Sequence, residues 1–262
     1  MKKENCKINS LFWGLIFAAI TLFAACSNAS SGFTDGNNSS SEEDSSSSVE
    51  GLSSEEYSSS SIGVCTNIYG INTVRDCRDG QIYKTVEIGR QTWMAENLNY
   101  IVDSSCCYKN SANNCSKYGR LYTWTGAMNI AGSYQSSLAS AEISDPHQGA
   151  CPTGWHIPKS NEWATLGNTV GGLSSAGTKL KSTSEWNYNG NGTDDYGFSA
   201  LPAGGRYDYG VFNNVGEEAY FWSASENGED SAYYKILDYD LNGMYAGSSS
   251  KRHAFSVRCI KN

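Results

Sequence analysis

Between Ser27 and Ser61 the chain holds sixteen serines and seven acidic residues in 35 positions, with no Lys or Arg. Such a stretch cannot bury enough apolar surface to offset the entropy of ordering it, so it is expected to be a disordered tether. By the scaling of a flexible chain its ends stand roughly 30–35 Å apart, and further where its charges repel. Whatever folds must come from the residues on either side.

The residues before it read as a targeting segment. Lys2, Lys3 and Lys7 precede an apolar run from Leu11 to Phe23, followed by Ala24-Ala25 and Cys26. A basic flank, a short apolar core and a small-residue site describe a secretory signal. The run falls short of the roughly 20 residues a spanning helix needs. Ala24-Ala25-Cys26 resembles a bacterial lipobox, whose cysteine is lipidated and becomes the mature N-terminus, although Phe23 stands where such boxes usually carry Leu. The alternative is an ordinary cleaved signal with Cys26 incidental. The expected order is a signal peptide over 1–25, a lipidated Cys26 opening a tether over 26–62, and a folded module over 63–262. That places the module outside the cytoplasm, on the outer membrane or surface of a bacterium, touching membrane through its lipid alone.

Residues 63–262 carry 16 Lys and Arg against 19 Asp and Glu, so most of the chain's acidity sits in the tether. No basic patch runs through the module, which excludes nucleic acid as an expected partner. Two hundred residues suffice for one domain with a real core. Setting Cys6 and Cys26 aside leaves seven cysteines: Cys65, Cys77, Cys106, Cys107, Cys115, Cys151 and Cys259. In an oxidising compartment that is three bridges and one cysteine over. No Cys-x-x-Cys pair with a matching partner supports zinc, and no cofactor motif is present.

Strand and turn signals dominate. "QIYKTVEIG" (81–89) alternates Ile82, Lys84, Val86 and Ile88 against Tyr83, Thr85 and Glu87, a strand stopped by Gly89. "RLYTWTGAMNIA" (120–131) fits a strand passing into a short helix. "SNEWATLGNTVGG" is the clearest helix, with Ser160 as N-cap, Glu162 in the first turn, an apolar stripe of Trp163, Leu166 and Val170, and a Gly171-Gly172 stop. The last third is strand-like at "AYFWSAS" (219–225), "AYYKILDYDLNGMYAG" (232–247) and "AFSVRCIKN" (254–262). Asn242-Gly243 is the favoured dipeptide of a two-residue hairpin turn. Few helices among several antiparallel hairpins give an α+β domain.

Six blocks then occur in order: "DGQIYKTVEIGRQTWMAENLNY", "CCYKNSANNCSKYGRLYTW", "CPTGWHIPKSNEWATL", "GFSALPAGGRY", "FWSASE" and "FSVRCIKN". Together, from about Asp79 to Asn262, they resemble the Fibrobacter succinogenes major paralogous domain. The resemblance implies a secreted or surface module related to the C-type-lectin-like and formylglycine-generating-enzyme folds, and brings no settled activity. It points to Cys107–Cys115, because the family block reads Cys-Tyr at that place, which leaves Cys106 as a thiol or an intermolecular link. Cys151 at the helix entry has an obvious partner in Cys259 of the last strand, and Cys65–Cys77 completes the set.

These pairings shape the functional expectation. Cys151 and His156 could form a thiol–imidazole pair, but a bridged Cys151 is no nucleophile, and nothing in the sequence marks an acid to orient the imidazole. Formylglycine-generating enzymes use two cysteines near the C-terminus with copper, whereas only Cys259 lies there. "DYDLNG" (238–243) imitates the opening of a calcium loop, yet Ser249 stands at the twelfth position in place of Glu. Asp194-Asp195 and the set Glu226, Glu229 and Asp230 read as solvated turns. The module also holds 16 Tyr and six Trp, several in Gly- and Asn-rich loops. Tyr207, Asp208 and Tyr209 in "GGRYDYG", with Tyr188 in "EWNYNGNG", are the expected ligand contacts, since flat rings with a polar tip suit sugars and proteins alike. The expectation is a non-catalytic module without metal or cofactor, binding an extracellular polysaccharide or a surface protein. An oxidase of the formylglycine-generating type and a purely structural envelope protein are the alternatives.

Overall fold

The computed structural model describes residues 65–262; the signal segment, Cys26 and the tether lie outside the described residues. In chain order the strands are β1 (Ile68–Gly70), β2 (Thr73–Arg75), β3 (Ile82–Ile88), β4 (Gln91–Met94) and β5 (Ser105–Cys106). Helix α1 (Ala112–Tyr118), β6 (Leu121–Thr123) and α2 (Trp124–Met128) follow, then β7 (Trp155–His156), α3 (Ser160–Thr169) and α4 (Leu173–Leu180). The remainder is β8 (Ala203–Arg206), β9 (Phe212–Val215), β10 (Glu218–Glu226), β11 (Ser231–Asp238), β12 (Tyr245–Ser250), β13 (Ala254–Ser256) and β14 (Ile260–Lys261). The class is α+β, with few helices and mostly antiparallel pairing.

One sheet runs β1-β2-β3-β4-β14-β7, the other β12-β11-β10-β8-β13-β6-β5 with β9 on β8. The segment read as one C-terminal strand divides: β13 joins the second sheet and β14 the first. Val257 to Cys259 make the crossing, where the Leu98 N–H donates to the Val257 carbonyl (2.9 Å) and the Met94 N–H to that of Cys259 (3.0 Å). Beside β13, glycines are required. Gly204 has φ +63°, and a Cβ on it would stand 2.3 Å from the Asn213 carbonyl oxygen of β9; one on Gly205 would meet the Phe255 ring at 2.8 Å.

The core is aromatic and in parts. One part gathers Trp124, Trp155, Trp222, Tyr122 and Phe255 around Cys151 and Cys259. Another gathers Trp93, Trp163, Phe198, Phe221 and Leu180 beneath α3 and α4, with Trp93 and Trp163 ring centroids 4.8 Å apart. Strand β3 serves both, so its two faces bury different residues at different points. Tyr83 packs with Val74 in the first part, and Ile88 with Trp93 in the second, while Ile82 stays 63% exposed.

Two local readings are corrected, the helix cap and the Asn242-Gly243 turn. The helix cap is Lys159, with Ser160 already helical, because the Glu162 carboxylate reaches back to accept the Lys159 N–H (2.8 Å). The Gly171-Gly172 stop is followed at once by α4, whose apolar stripe of Ala176 and Leu180 is short. The β11–β12 hairpin pairs from Ser231↔Ser250 to Ile236↔Tyr245, so Asn242-Gly243 makes no two-residue turn. Residues 239–244 instead fold over α4: the Thr178 N–H donates to the Asn242 carbonyl (3.0 Å) and the Met244 N–H to that of Leu173 (2.8 Å).

Candidate functional site

The stretch "CPTGWHIPKSNEWATL" acts as a staple. Cys151 is bonded to Cys259 and completely buried, so no thiol stands beside His156. Trp155 and Trp163 belong to the two different core parts on either side of the helix entry. The acid that the sequence did not mark is Glu162, one turn into α3: His156 Nε2 donates to Glu162 Oε1 (2.9 Å) and Nδ1 to Asn262 Oδ1 (2.7 Å). Two acceptors on one ring favour its imidazolium form. By contrast, His147 Nδ1 accepts from the Ser144 N–H (3.2 Å), so its Nε2 donates to the Met128 carbonyl.

Burial opposes the charge on His156, but the bonds to Glu162 and Asn262 outweigh it and lift the pKa above 6.5. Burial likewise opposes the Glu162 charge, and His156 with the Lys159 N–H reverses that, holding the carboxyl below 4.5. The histidine's contribution to stability is therefore full below its unfolded pKa and fades as pH rises through the folded one. That of Glu162 is full above its unfolded pKa and fades as pH falls. The pair contributes most between about pH 4.5 and 6.5. Thermal melts of wild type and His156→Gln should differ by roughly 1–2 kcal/mol at pH 5.5 and converge by pH 8.5. A constant difference across that range would remove the ion pair from the account.

The structure separates the expected contact residues. Tyr209, between β8 and β9, is 100% exposed, and Tyr188, between Trp186 and Asn189, is 73% exposed. Tyr207, just past the end of β8, is only partly exposed: its ring lies 4.9 Å from His253 and packs edge-on against Phe255 and Tyr220. Asp208 is half exposed, 3.5 Å from His253 Nε2. The Asn187 N–H donates to the Gly216 carbonyl just past the far end of β9, so Tyr188 and Tyr209 sit at opposite ends of the β8–β9 hairpin. Four strand residues set them about 13 Å apart or more. Tyr188 pairs instead with the Tyr239 ring (5.1 Å). All six tryptophans of the module are buried, Trp186 included.

Among the described residues the displayed tyrosines are two of eleven non-glycine residues at positive φ, and the only aromatic ones. Tyr188 has φ 54° and Tyr209 φ 60°, the left-handed region that glycine or asparagine would occupy at lower cost. Each costs on the order of 1–2 kcal/mol against a right-handed residue. An exposed ring recovers little of that by burial.

The acidic loops are occupied by lysines. Lys181 is 3% exposed, and its ammonium donates to the carbonyls of Asp238 (2.8 Å), Tyr239 (3.2 Å) and Leu241 (3.2 Å), taking the centre of the calcium-like loop. Lys251 is completely buried and donates to Glu226 Oε1 (2.5 Å) and to the carbonyls of Ser137 (2.9 Å) and Glu229 (2.8 Å). Asp194 accepts from the Ser199 N–H (2.7 Å) and hydroxyl (2.6 Å). Among the described residues no three His, Cys, Asp or Glu side chains form a metal-holding group.

Cys65–Cys77 and Cys107–Cys115 are the other two disulfides. Cys106 remains a thiol, 1% exposed, and such burial is incompatible with an intermolecular link.

A polar groove escaped the sequence reading. A cavity of about 420 Å³ opens where the start of β3, the chain after β4, the end of α1 and residues 182–184 meet. Arg258 lines its depth at 1% exposure, with Nε and Nη2 donating to Asn97 Oδ1 (3.1 and 2.9 Å) and Nη1 to the Met94 and Phe198 carbonyls (3.1 and 2.5 Å). Its guanidinium stacks 4.4 Å from the Phe198 ring. Burial pushes its pKa down to about 9, still on the charged side of neutrality. The one sequence signal was a charged residue inside the buried run Val257–Cys259.

The family model described as the Fibrobacter succinogenes major domain matches residues 86–261. No curated protein and no solved structure matches the chain.

Proposed function

We propose that this chain, which belongs to the Fibrobacter succinogenes major domain family, is a surface-tethered module that binds an extracellular polysaccharide without turning it over. The observation that carries the reading is the pair of displayed rings: Tyr209 and Tyr188 combine high exposure with positive φ. Left-handed backbone at a bulky residue raises the energy of the fold, and such outliers concentrate where a surface contacts ligand. The relation to C-type-lectin-like modules expected from the family resemblance agrees with a binding role. Against the oxidase alternative stand the disulfide at Cys259 and the burial of Cys106.

Each tyrosine stacked on a sugar ring should contribute about 0.5–1.5 kcal/mol beyond area burial, if sugar faces behave as aromatic partners do. Single modules then bind weakly, and many tethered copies gain by avidity. Wild type should be retained on insoluble xylan, cellulose or pectin, and Tyr188→Ala/Tyr209→Ala should weaken retention roughly 5- to 100-fold. Failure of wild type to bind any of the three would redirect the reading to a protein partner or a structural role. Release of soluble sugar would make the module an enzyme. The tether is tested apart from the ligand: wild type should partition into detergent and Cys26→Ser into the aqueous phase.

A further inference from the structure

We infer that the groove over Arg258 is a binding subsite for one or two residues of a neutral sugar chain, distinct from the Tyr209 loop. The inference rests on the polysaccharide reading above and assigns it a second place of contact. About 420 Å³ falls in the range of small-ligand clefts, roughly 300–1,000 Å³. Most such clefts are apolar; this one is lined mainly by amides, hydroxyls and charged groups, with Ile82 and Leu201 among its few aliphatic side chains.

The floor is fixed. Arg258 bridges Asn97, Met94 and Phe198, and Asn97 Nδ2 in turn donates to the Tyr118 carbonyl (2.8 Å) and to Ser256 Oγ (3.3 Å). Every polar group there is held in one orientation, which preorganises the surface above it. On the walls, Asn99 Oδ1 is a buried acceptor with no hydrogen-bond partner. The side chains of Lys84, Thr183 and Ser184 make no hydrogen bond to other described residues. Apart from the buried Asn99 Oδ1, these are exposed donors and acceptors without protein partners, which suits hydroxyl groups, each able to donate and accept.

Charge indicates a neutral ligand. Lys84 and Arg258 face Glu96 and Asp194, while Lys117 is paired with Glu185. Two cations against two anions give neither an acidic nor a basic sugar an electrostatic advantage. Ile82, 63% exposed at the rim, offers an apolar face for ring C–H groups.

The test is a ¹⁵N chemical-shift titration of residues 63–262 with xylotriose, cellotriose and trigalacturonic acid. Saturable shifts are expected at residues 96–99 and 182–184 with at least one neutral trimer, and at least fivefold weaker binding is expected for trigalacturonic acid. Thr183→Val/Ser184→Ala and, separately, Lys84→Met should each weaken the neutral trimer about fivefold or more. These positions are exposed, and the amide spectrum itself reports whether each variant is folded. Shifts confined to the Tyr209 loop, wild-type binding by the groove variants, or tighter binding of the acidic trimer would overturn the inference. Absence of trimer binding alongside tyrosine-dependent retention on insoluble polysaccharide overturns the groove and leaves the surface reading intact. Loss of retention on every polysaccharide removes both.

Discussion

Arg258→Met is expected to lower the unfolding free energy by about 4 kcal/mol. The side chain is 1% exposed and directs its donors at Asn97 Oδ1 and the carbonyls of Met94 and Phe198. Methionine conserves much of the volume and none of the donors. Each buried acceptor left without a partner costs on the order of 1–3 kcal/mol, and three are affected, with partial relaxation reducing the sum. Because these acceptors lie on Asn97, on β4 and on the segment before Ser199, the loss also unlocks the groove floor. For a domain of this size the shift in Tm is roughly 2–4 °C per kcal/mol, so about 8–16 °C. Arg258→Lys keeps the charge and loses the fork, and should fall between. Urea melts of the three proteins decide the matter; a loss under 1 kcal/mol for Arg258→Met would mean the network is not a structural keystone.

Removing the Cys151–Cys259 bridge by a double alanine substitution should cost about 4–5 kcal/mol, and removing Cys107–Cys115 about 2.5 kcal/mol. The difference follows from loop length: the first bridge closes a sequence separation of 108 and the second one of 8. Loop-closure entropy in the unfolded chain grows with the logarithm of that length, which yields roughly those figures before native strain. Burial adds to the first, since Cys151 and Cys259 are both fully enclosed beside Trp155 and Val257. Paired urea melts give the ratio. Equal losses for the two bridges would show that packing, and not chain entropy, sets their worth. Thiol labelling in denaturant without reductant should find Cys106 alone reactive among residues 65–262.

The sequence carried the class and the staples because both rest on local or linear signals. Period-two alternation exposed β3, and an apolar stripe with a Gly-Gly stop exposed α3. The Cys-Tyr dipeptide at 107–108 separated Cys107 from its neighbour. What it missed depends on residues far apart in the chain. Asn242-Gly243 satisfied every rule for a tight turn, yet the carbonyls around it are gathered by Lys181, some 60 residues earlier. Tyr207 and Tyr209 look equivalent on either side of Asp208, but one backbone residue at positive φ sends the second outward while the first packs on Phe255. The groove draws on six separate segments, from Gln81 to Arg258, and none of them carries it alone.

The crossing at Val257–Cys259 has a consequence in time. β13 must pair with β6 and β8, and β14 must lie between β4 and β7, before either sheet is complete. A chain made from its N-terminus therefore holds nearly all of its aromatic residues long before it has the eight positions, 254–261, that bring the two sheets together. Until those arrive, the emerging module is a set of hairpins with open edges and a large apolar debt of unburied Trp and Phe. Contacts that join residue 93 to residue 260 also make closure slow, because distant ends must meet late. Until residues 254–261 are made, the preceding segments stay open to threading, and those few residues then convert two incomplete sheets into one domain.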